Sequence, residues 1–412
     1  MALSILDVFN RYRLAGGEEF AVERIRAMLA TRHQVHSCRF ASEEWLRPDA
    51  PGRLSQGWRF FYNPASRRRF ESAVEESGAD LAVFHNLFPV GSPAIYHAAS
   101  RKGIPVVQFL HNYRPFAVGS LYSRGMLQTD SLYGNHWQAV RDGVWMNSRV
   151  RTLMMATLQK MLHRSGWLGS VKKWIAISDF MRERLIEAGA VAPDRIVTLR
   201  HAWDCLPQAP EKQDAGYYLF LGRLIEEKGL PTLLDAWDML QAQLGKATPR
   251  LHIAGEGPMA EQVRQHARTN PFICALGNVG GETKTDQLLR CRAVVVPSVW
   301  WEPLGLVTYE AYDYAKPVLA ASSGGLTETV QHSRTGFLHV PGDAAGLVQD
   351  VLNLEAMSVT QRMALGNSGR HWLRQETDPT RWLRKFDEIA GEVIAPRQAE
   401  LRIKQEALRG AR

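Results

Sequence analysis

Short apolar runs alternate along this chain with segments whose apolar positions recur at helical spacing. Residues 3–9, 34–39, 81–84 and 106–110 read as strands, and 17–31 reads as a helix. This βα rhythm predicts a parallel sheet with crossover helices. Residues 116–170 interrupt it with a loop and one long amphipathic stretch, 141–164; strands at 174–177 and 196–199, with a helix over 179–188, restore it. The polar, proline-containing segment 207–216 (PQAPEKQDAG) predicts a linker. A second series then places strands at 217–221, 251–254, 272–276, 293–296, 317–320 and 336–340. Two such units predict an α/β protein with two Rossmann-like domains facing across a cleft, 1–206 and 207–379. A helical segment over 380–393 follows, and the charged tail 397–412 is expected to be solvated and without fixed structure.

Composition leaves that picture standing. The 412 residues, 45% hydrophobic and 22% charged, suit a soluble enzyme of two or three domains. Cys38, Cys205, Cys274 and Cys291 are scattered with no pair at metal-ligand or redox spacing, which fits a reducing compartment. The start, MALSILDVFN, lacks a basic leader, and no apolar stretch approaches membrane-spanning length, so a cytoplasmic protein is expected. Charge changes the picture more. Residues 1–205 hold 27 Lys and Arg against 18 Asp and Glu, while the remaining 207 hold 23 against 24. The first half therefore either meets an anionic surface, membrane headgroups or nucleic acid, or presents a generally basic solvated face.

The densest chemistry lies at 294–310 (VVVPSVWWEPLGLVTYE), where an apolar strand runs into a Pro-Ser-aromatic loop and then a helix start. Glu302 and Glu310 stand eight positions apart. With a helix beginning near Gly305, Glu302 lies at its mouth and Glu310 about one and a half turns inside, so both can face one ligand. A loop that opens a helix after a parallel strand is where open α/β sheets bind anions. Residues 222–229 (GRLIEEKG) place Arg223 and Lys228 on another such loop, and two cations beside a helix N-terminus suit a diphosphate. In the first unit Arg11 and Arg13 precede Gly16 and Gly17, paired glycines that let a backbone approach phosphate or simply turn. His111, in HNYRP (111–115), falls at a strand's C-terminal end, where binding groups gather. Residues 253–260 read G-x-G-x-x-A between strand and helix, the outline of a dinucleotide fingerprint. The acidic residue expected after the next strand is absent, so these glycines are expected to form a turn lining the cleft.

Together these segments resemble the retaining glycosyltransferases of family 4. The resemblance runs from 14–20 (LAGGEEF) and 111–115 through 172–189 and 222–229 to 294–311, with its E-x7-E motif, and 322–330 (SSGGLTETV). It implies the GT-B fold, an acceptor-side first domain, a donor-binding second domain and a terminal helix that returns to the first. It also implies a UDP- or GDP-linked sugar as donor substrate, a saccharide or lipid-linked acceptor, retained anomeric configuration, and no metal or other cofactor. By motif, Glu310 would bind the donor ribose. Arg223 and Lys228 would hold the diphosphate, with backbone N–H groups of Gly305 and Leu306 on one side and Gly16 and Gly17 on the other. Glu302 and His111 would face the reacting sugar. The physical logic agrees: charge builds on the leaving diphosphate, which fixed cations and oriented N–H groups stabilise, and no Asp-x-Asp pair offers a metal site.

The stretch 141–164 combines Val144, Trp145, Met146, Val150, Leu153 and Met154 with Arg141, Arg149, Arg151, Lys160 and Arg164. It suits an interfacial helix on an anionic membrane, or an ordinary crossover helix packed on the sheet. Arg67, Arg68 and Arg69 form a second basic cluster with the same two readings. Two other function classes stay open: a non-catalytic sugar-nucleotide-binding or scaffold subunit, disfavoured by the full set of glutamates and cations, and a nucleic-acid-binding protein, suggested by charge alone.

Overall fold

The computed structural model describes residues 2–13, 16–119, 121–206 and 214–410. Leu14, Ala15 and most of the expected linker, 207–213, lie outside the described residues. The strands are β1 (Ser4–Arg11), β2 (Gln34–Ala41), β3 (Leu81–Phe84), β4 (Val106–Leu110), the small hairpin β5 (Tyr122–Ser123) and β6 (Met126–Leu127), β7 (Val171–Ala176) and β8 (Ile196–Thr198) in the first half. The second half holds β9 (Tyr217–Leu221), β10 (Arg250–Ala254), β11 (Ile273–Gly277), β12 (Ala293–Val296), β13 (Val318–Ala321) and β14 (Gly336–His339). The helices are α1 (Gly17–Leu29), α2 (Arg53–Phe61), α3 (Pro64–Ser77), α4 (Ala94–Lys102), α5 (Trp137–Asp142), α6 (Arg149–Arg164), α7 (Asp179–Glu187), α8 (Leu230–Leu244), α9 (Ala260–Thr269), α10 (Gly281–Arg290), α11 (Leu306–Asp313), α12 (Leu326–Thr329), α13 (Ala344–Ala356), α14 (Val359–Glu376) and α15 (Pro379–Gly410).

Two six-stranded sheets result, ordered β2-β1-β3-β4-β7-β8 and β11-β10-β9-β12-β13-β14, with every pairing within them parallel. Central strands such as LAVF, AVVV and VLAA are buried on both faces, which is why they read as unbroken apolar runs. Chain direction across each sheet reverses once, between β1 and β3 in the first and between β9 and β12 in the second. Ligands bind beyond the strand ends at such switch points. The segment after the second sheet returns to the first: Trp382, Phe386, Ala390 and Val393 of α15 are buried with Ile5, Val83, Phe109 and Ile175. No helix among the described residues is long and apolar enough to cross a membrane.

Three sequence expectations need correction. The stretch 141–164 is not one helix. Gly143 (φ 65), Met146 (φ 55) and Asn147 (φ 50) adopt left-handed backbone, and the chain turns between α5 and α6 before Ser148 caps α6 by accepting from Arg151 N at 3.3 Å. The tail expected to lack fixed structure continues α15 to Gly410, because 397–409 is rich in helix formers and contains neither glycine nor proline. Helices α2 and α3 also fall where no element was expected; Asn63 accepting from Ala65 N and Pro64 in the first turn start α3.

Candidate functional site

In the second sheet the loops after β9 and β12 flank the switch point and are tied together by Val299 N donating to Glu227 O at 3.0 Å. The first ends in a short 3-10 turn, Glu226–Lys228, that delivers Lys228 into the cleft. The second delivers Glu302 and then opens α11 at Gly305, whose φ of 85 favours glycine and whose added Cβ would press on Leu326 Cδ2 at 2.5 Å. Lys228 Nζ lies 2.9 and 2.7 Å from the two oxygens of Glu302. Ser298 Oγ and Trp300 Nε1 donate to the same carboxylate at 3.0 and 2.9 Å. Burial alone would raise the Glu302 carboxyl, but Lys228 and these donors outweigh it and hold it below its ordinary value. Glu302 is thus a buried, ionised carboxylate with a fixed counter-charge.

Glu310, inside α11, pairs with Lys284 of α10 at 2.8 Å. On the opposite side Arg24 of α1 stacks on Trp203, 3.7 Å from the ring centroid, where burial lowers its basicity and Glu310 and Asp313 oppose that. Trp203 Nε1 donates to Asp313 Oδ2 at 3.0 Å, joining the halves. Gly16 caps α1, and a Cβ on Gly17 would lie 3.7 Å from Leu306 Cδ1, so the starts of α1 and α11 meet across the cleft. Arg223 is exposed and its side chain makes no hydrogen bond or ion pair among the described residues. The glycines of the dinucleotide-like turn support its loop: a Cβ on Gly255 (φ 149) would fall 1.8 Å from Gly222 O.

The first sheet supplies histidines, with Glu18 and Arg114 beside them. His111 follows β4 and is buried; burial, then the neighbouring His85 and His201, hold its imidazole well below the ordinary value, so it is neutral at pH 7. A cavity beside it is lined by Glu18, His85, Asn112 and Arg114 among others. Glu18 accepts from Tyr12 Oη at 3.0 Å and Asn112 Nδ2 at 2.9 Å, and burial pushes its carboxyl up. The structure therefore gathers Gly17, Lys228, Glu302, Gly305, Leu306 and Glu310 at the meeting of α1 and α11, with Arg223 on a flanking loop and His111 at the end of the first sheet.

Sequence reasoning missed Asp7, Glu18, His85, His201 and Lys284. For His85 a signal existed, since Phe84-His85-Asn86 repeats Leu110-His111-Asn112 at the end of the neighbouring strand. For Lys284, a helix lysine far in sequence from Glu310 and in no recognisable motif, there was none.

Two family models match the chain in tandem: Glycosyltransferase Family 4 over 14–205 and Glycosyl transferases group 1 over 205–372. A GDP-mannose-dependent alpha-(1-6)-phosphatidylinositol monomannoside mannosyltransferase of Mycobacterium tuberculosis is 32% identical over 173 residues, covering 39% of this chain and 43% of that protein. The O-antigen chain mannosyltransferase B of Escherichia coli is 30% identical over 217 residues, covering 49% and 53%. The chain spans about half or less of these relatives. Among solved structures, Anabaena HepE in complex with UDP superposes with a TM-score of 0.64 at 18% identity, covering 95% of this chain and 100% of that one. A glycosyltransferase from Rickettsia africae gives 0.64 at 15%, covering 95% and 99%. At such identities the likeness is one of fold.

Proposed function

We propose that this chain, which belongs to glycosyltransferase family 4 and has its GT-B fold, transfers a sugar from a nucleotide diphosphate donor to a saccharide or lipid-linked acceptor with retained configuration, in the synthesis of a cell-surface polysaccharide or glycoconjugate. The observation that carries this reading is the Lys228–Glu302 pair at the mouth of α11, beside the meeting point of two helix N-termini. An ammonium has three donors; two of those on Lys228 point at Glu302, and the third is left for a phosphate oxygen. Lys228, Arg223 and the first N–H groups of α1 and α11 then stabilise the charge that develops on the leaving diphosphate. Glu302, its oxygens engaged by Lys228, Ser298 and Trp300, acts as an electrostatic partner of an oxocarbenium-like sugar rather than as a nucleophile. Glu310 takes the ribose hydroxyls and His111 a hydroxyl of the sugar. No step calls on a metal.

One relative is named for its dependence on GDP-mannose and a neighbouring structure holds UDP, so the base is put to test. UDP-, GDP- and ADP-sugars are screened by thermal shift and hydrolysis on wild type, Glu302→Ala and Glu310→Ala, with product anomers read by NMR. One donor is expected to stabilise the wild type and be turned over slowly. Silence across the whole panel ends the enzyme reading, and an inverted product ends the retaining one.

A lipid-linked acceptor at the inner membrane face is favoured by one surface. Helix α2 lies beside α6, a Cβ on Gly57 being 4.0 Å from Met154 Cε. Leu54 and Trp58 on α2 and Val150 and Leu153 on α6 are all more than half exposed. Arg53, Arg59, Arg149, Arg151, Lys160 and Arg164 accompany them, and neither helix carries a carboxylate. Gln159 Nε2 of α6 donates to Arg114 O at 2.8 Å, which joins this surface to the cavity wall. Sedimentation with vesicles containing anionic phosphatidylglycerol should capture the wild type but not Leu54→Ser/Trp58→Ser; equal capture of both removes the surface from the reading.

A further inference from the structure

Three buried imidazoles in the first sheet end in an unused lone pair. His85 Nε2 lies 2.8 Å from Asp7 Oδ1, and His85 Nδ1 lies 2.9 Å from His111 Nε2. The other oxygen of Asp7 pairs with Arg39. Burial would raise the Asp7 carboxyl, but His85 and Arg39 together hold it below its ordinary value. An ionised carboxylate only accepts, so the His85 proton facing it sits on Nε2. Arg39 already balances Asp7, and an imidazolium among three buried rings would be a second, uncompensated cation. With its one proton on Nε2, His85 presents Nδ1 to His111 as an acceptor. His111 can meet that acceptor only with its proton on Nε2. Its Nδ1 is then a bare lone pair, buried and without a hydrogen-bond partner among the described residues. Phe109 and His201 stack on the His111 ring at centroid distances of 6.0 and 5.2 Å and hold its plane.

We propose that Asp7 and His85 are positioning residues that lock His111 as the Nε2–H tautomer, so that its Nδ1 accepts a hydrogen from a hydroxyl of the bound sugar. A phosphate oxygen, an acceptor itself, would meet this atom lone pair to lone pair; a hydroxyl donates to it. The site thus sorts the sugar from the diphosphate by donor and acceptor as well as by charge. The identity of the ligand rests on the glycosyltransferase reading; the tautomer does not.

The test begins with the full wild-type chain labelled with 15N-histidine, His111 being assigned by the signal lost in His111→Gln. Nitrogen shifts and long-range couplings should show His111 protonated at Nε2 and bare at Nδ1; a proton on Nδ1 overturns the proposal. In Asp7→Asn the amide can donate to His85 Nε2, which turns the His85 tautomer over and drives the His111 proton to Nδ1. That variant is expected to show His111 Nδ1–H and to lose roughly tenfold to a hundredfold in kcat, with KM for the donor within about twofold of wild type. An unchanged tautomer with unchanged kcat overturns the relay. If Asp7→Asn does not fold, His85→Leu is read in the same way: without its acceptor His111 should populate both tautomers, and a single unchanged Nε2–H form is the contrary result. The tautomers are read without substrate, so failure of the sugar-nucleotide panel and failure of this proposal are separate outcomes.

Discussion

The two halves of the cleft are built on opposite principles. The second-sheet half holds paired charges, Lys228 with Glu302 on neighbouring loops and Lys284 with Glu310 on neighbouring helices, and both carboxylates come from one strand-loop-helix segment. At its histidine cluster the first-sheet half holds an anchored carboxylate and three buried imidazoles, drawn from positions 7, 85, 111 and 201, which meet only because one sheet brings its strand ends together. Charge suits a diphosphate, and neutral donors and acceptors suit hydroxyls. The difference teaches that the part of a site recognising charge can be local in sequence, while the part recognising an uncharged group can be wholly a product of the fold.

Breaking the charged half should have the largest effect. Lys228→Ala is expected to lower turnover by about a hundredfold to a thousandfold, the loss typical of one preorganised electrostatic donor. It also leaves Glu302 buried without its counter-charge, and that should cost about 3–5 kcal/mol of stability in urea titration. The double variant Lys228→Met/Glu302→Gln should recover much of the stability and none of the turnover. Recovery of both would mean that the pair only fills space, and the contrast between the halves would then be one of packing.

How much of this was legible follows the same division. The strands 217–221 and 293–296 and the placement of Glu302 at the mouth of a helix begun by Gly305 could be read directly, because apolar runs, turn glycines and helix starts are short-range signals. Asp7 could not: it interrupts an apolar strand, and only the register of β1 against β3 and the approach of Arg39 give it partners. The turn between α5 and α6 offered only Gly143 as a signal, because Met146 and Asn147 take left-handed backbone without being glycines. The continuation of α15 was hidden because a charged tail looks alike whether it is helical or not.

The histidine half can be sharpened by pH. An imidazole in the unfolded chain takes up a proton as pH falls through about 6.5. Burial, with His85 and Arg24 nearby, lowers His201 to about 3, and His111 is lowered by burial and its two neighbours. Between these limits the unfolded state binds more protons, so stability falls as pH falls, by about 1.4 kcal/mol per pH unit for each such group. The carboxylates Asp7 and Glu302, lowered in the fold, contribute stability that is present above their ordinary range and is lost only as pH drops below it. The halves should therefore separate along the pH axis, the histidines weakening the fold first. His201→Phe should remove about 2 kcal/mol of the loss between pH 6.5 and 5. An unchanged slope would show that His201 titrates normally and that the imidazole cluster is open to water.

Arg223 gives the smallest effect and the cleanest separation of function from folding. It is exposed, and its side chain is bound to nothing among the described residues, so removing it should leave stability within about 0.5 kcal/mol of wild type. Its neighbour on the same loop, Lys228, supports Glu302 and so serves both fold and site; Arg223 is free to serve the ligand alone. Arg223→Ala is expected to lower turnover by roughly tenfold, the worth of one exposed charge-assisted contact to a phosphate. Because that contact would strengthen as the sugar–phosphate bond breaks, the loss should fall on kcat more than on KM. Equal losses of turnover and stability would instead make Arg223 a structural residue, and the diphosphate would then rest on Lys228 and the two helix ends.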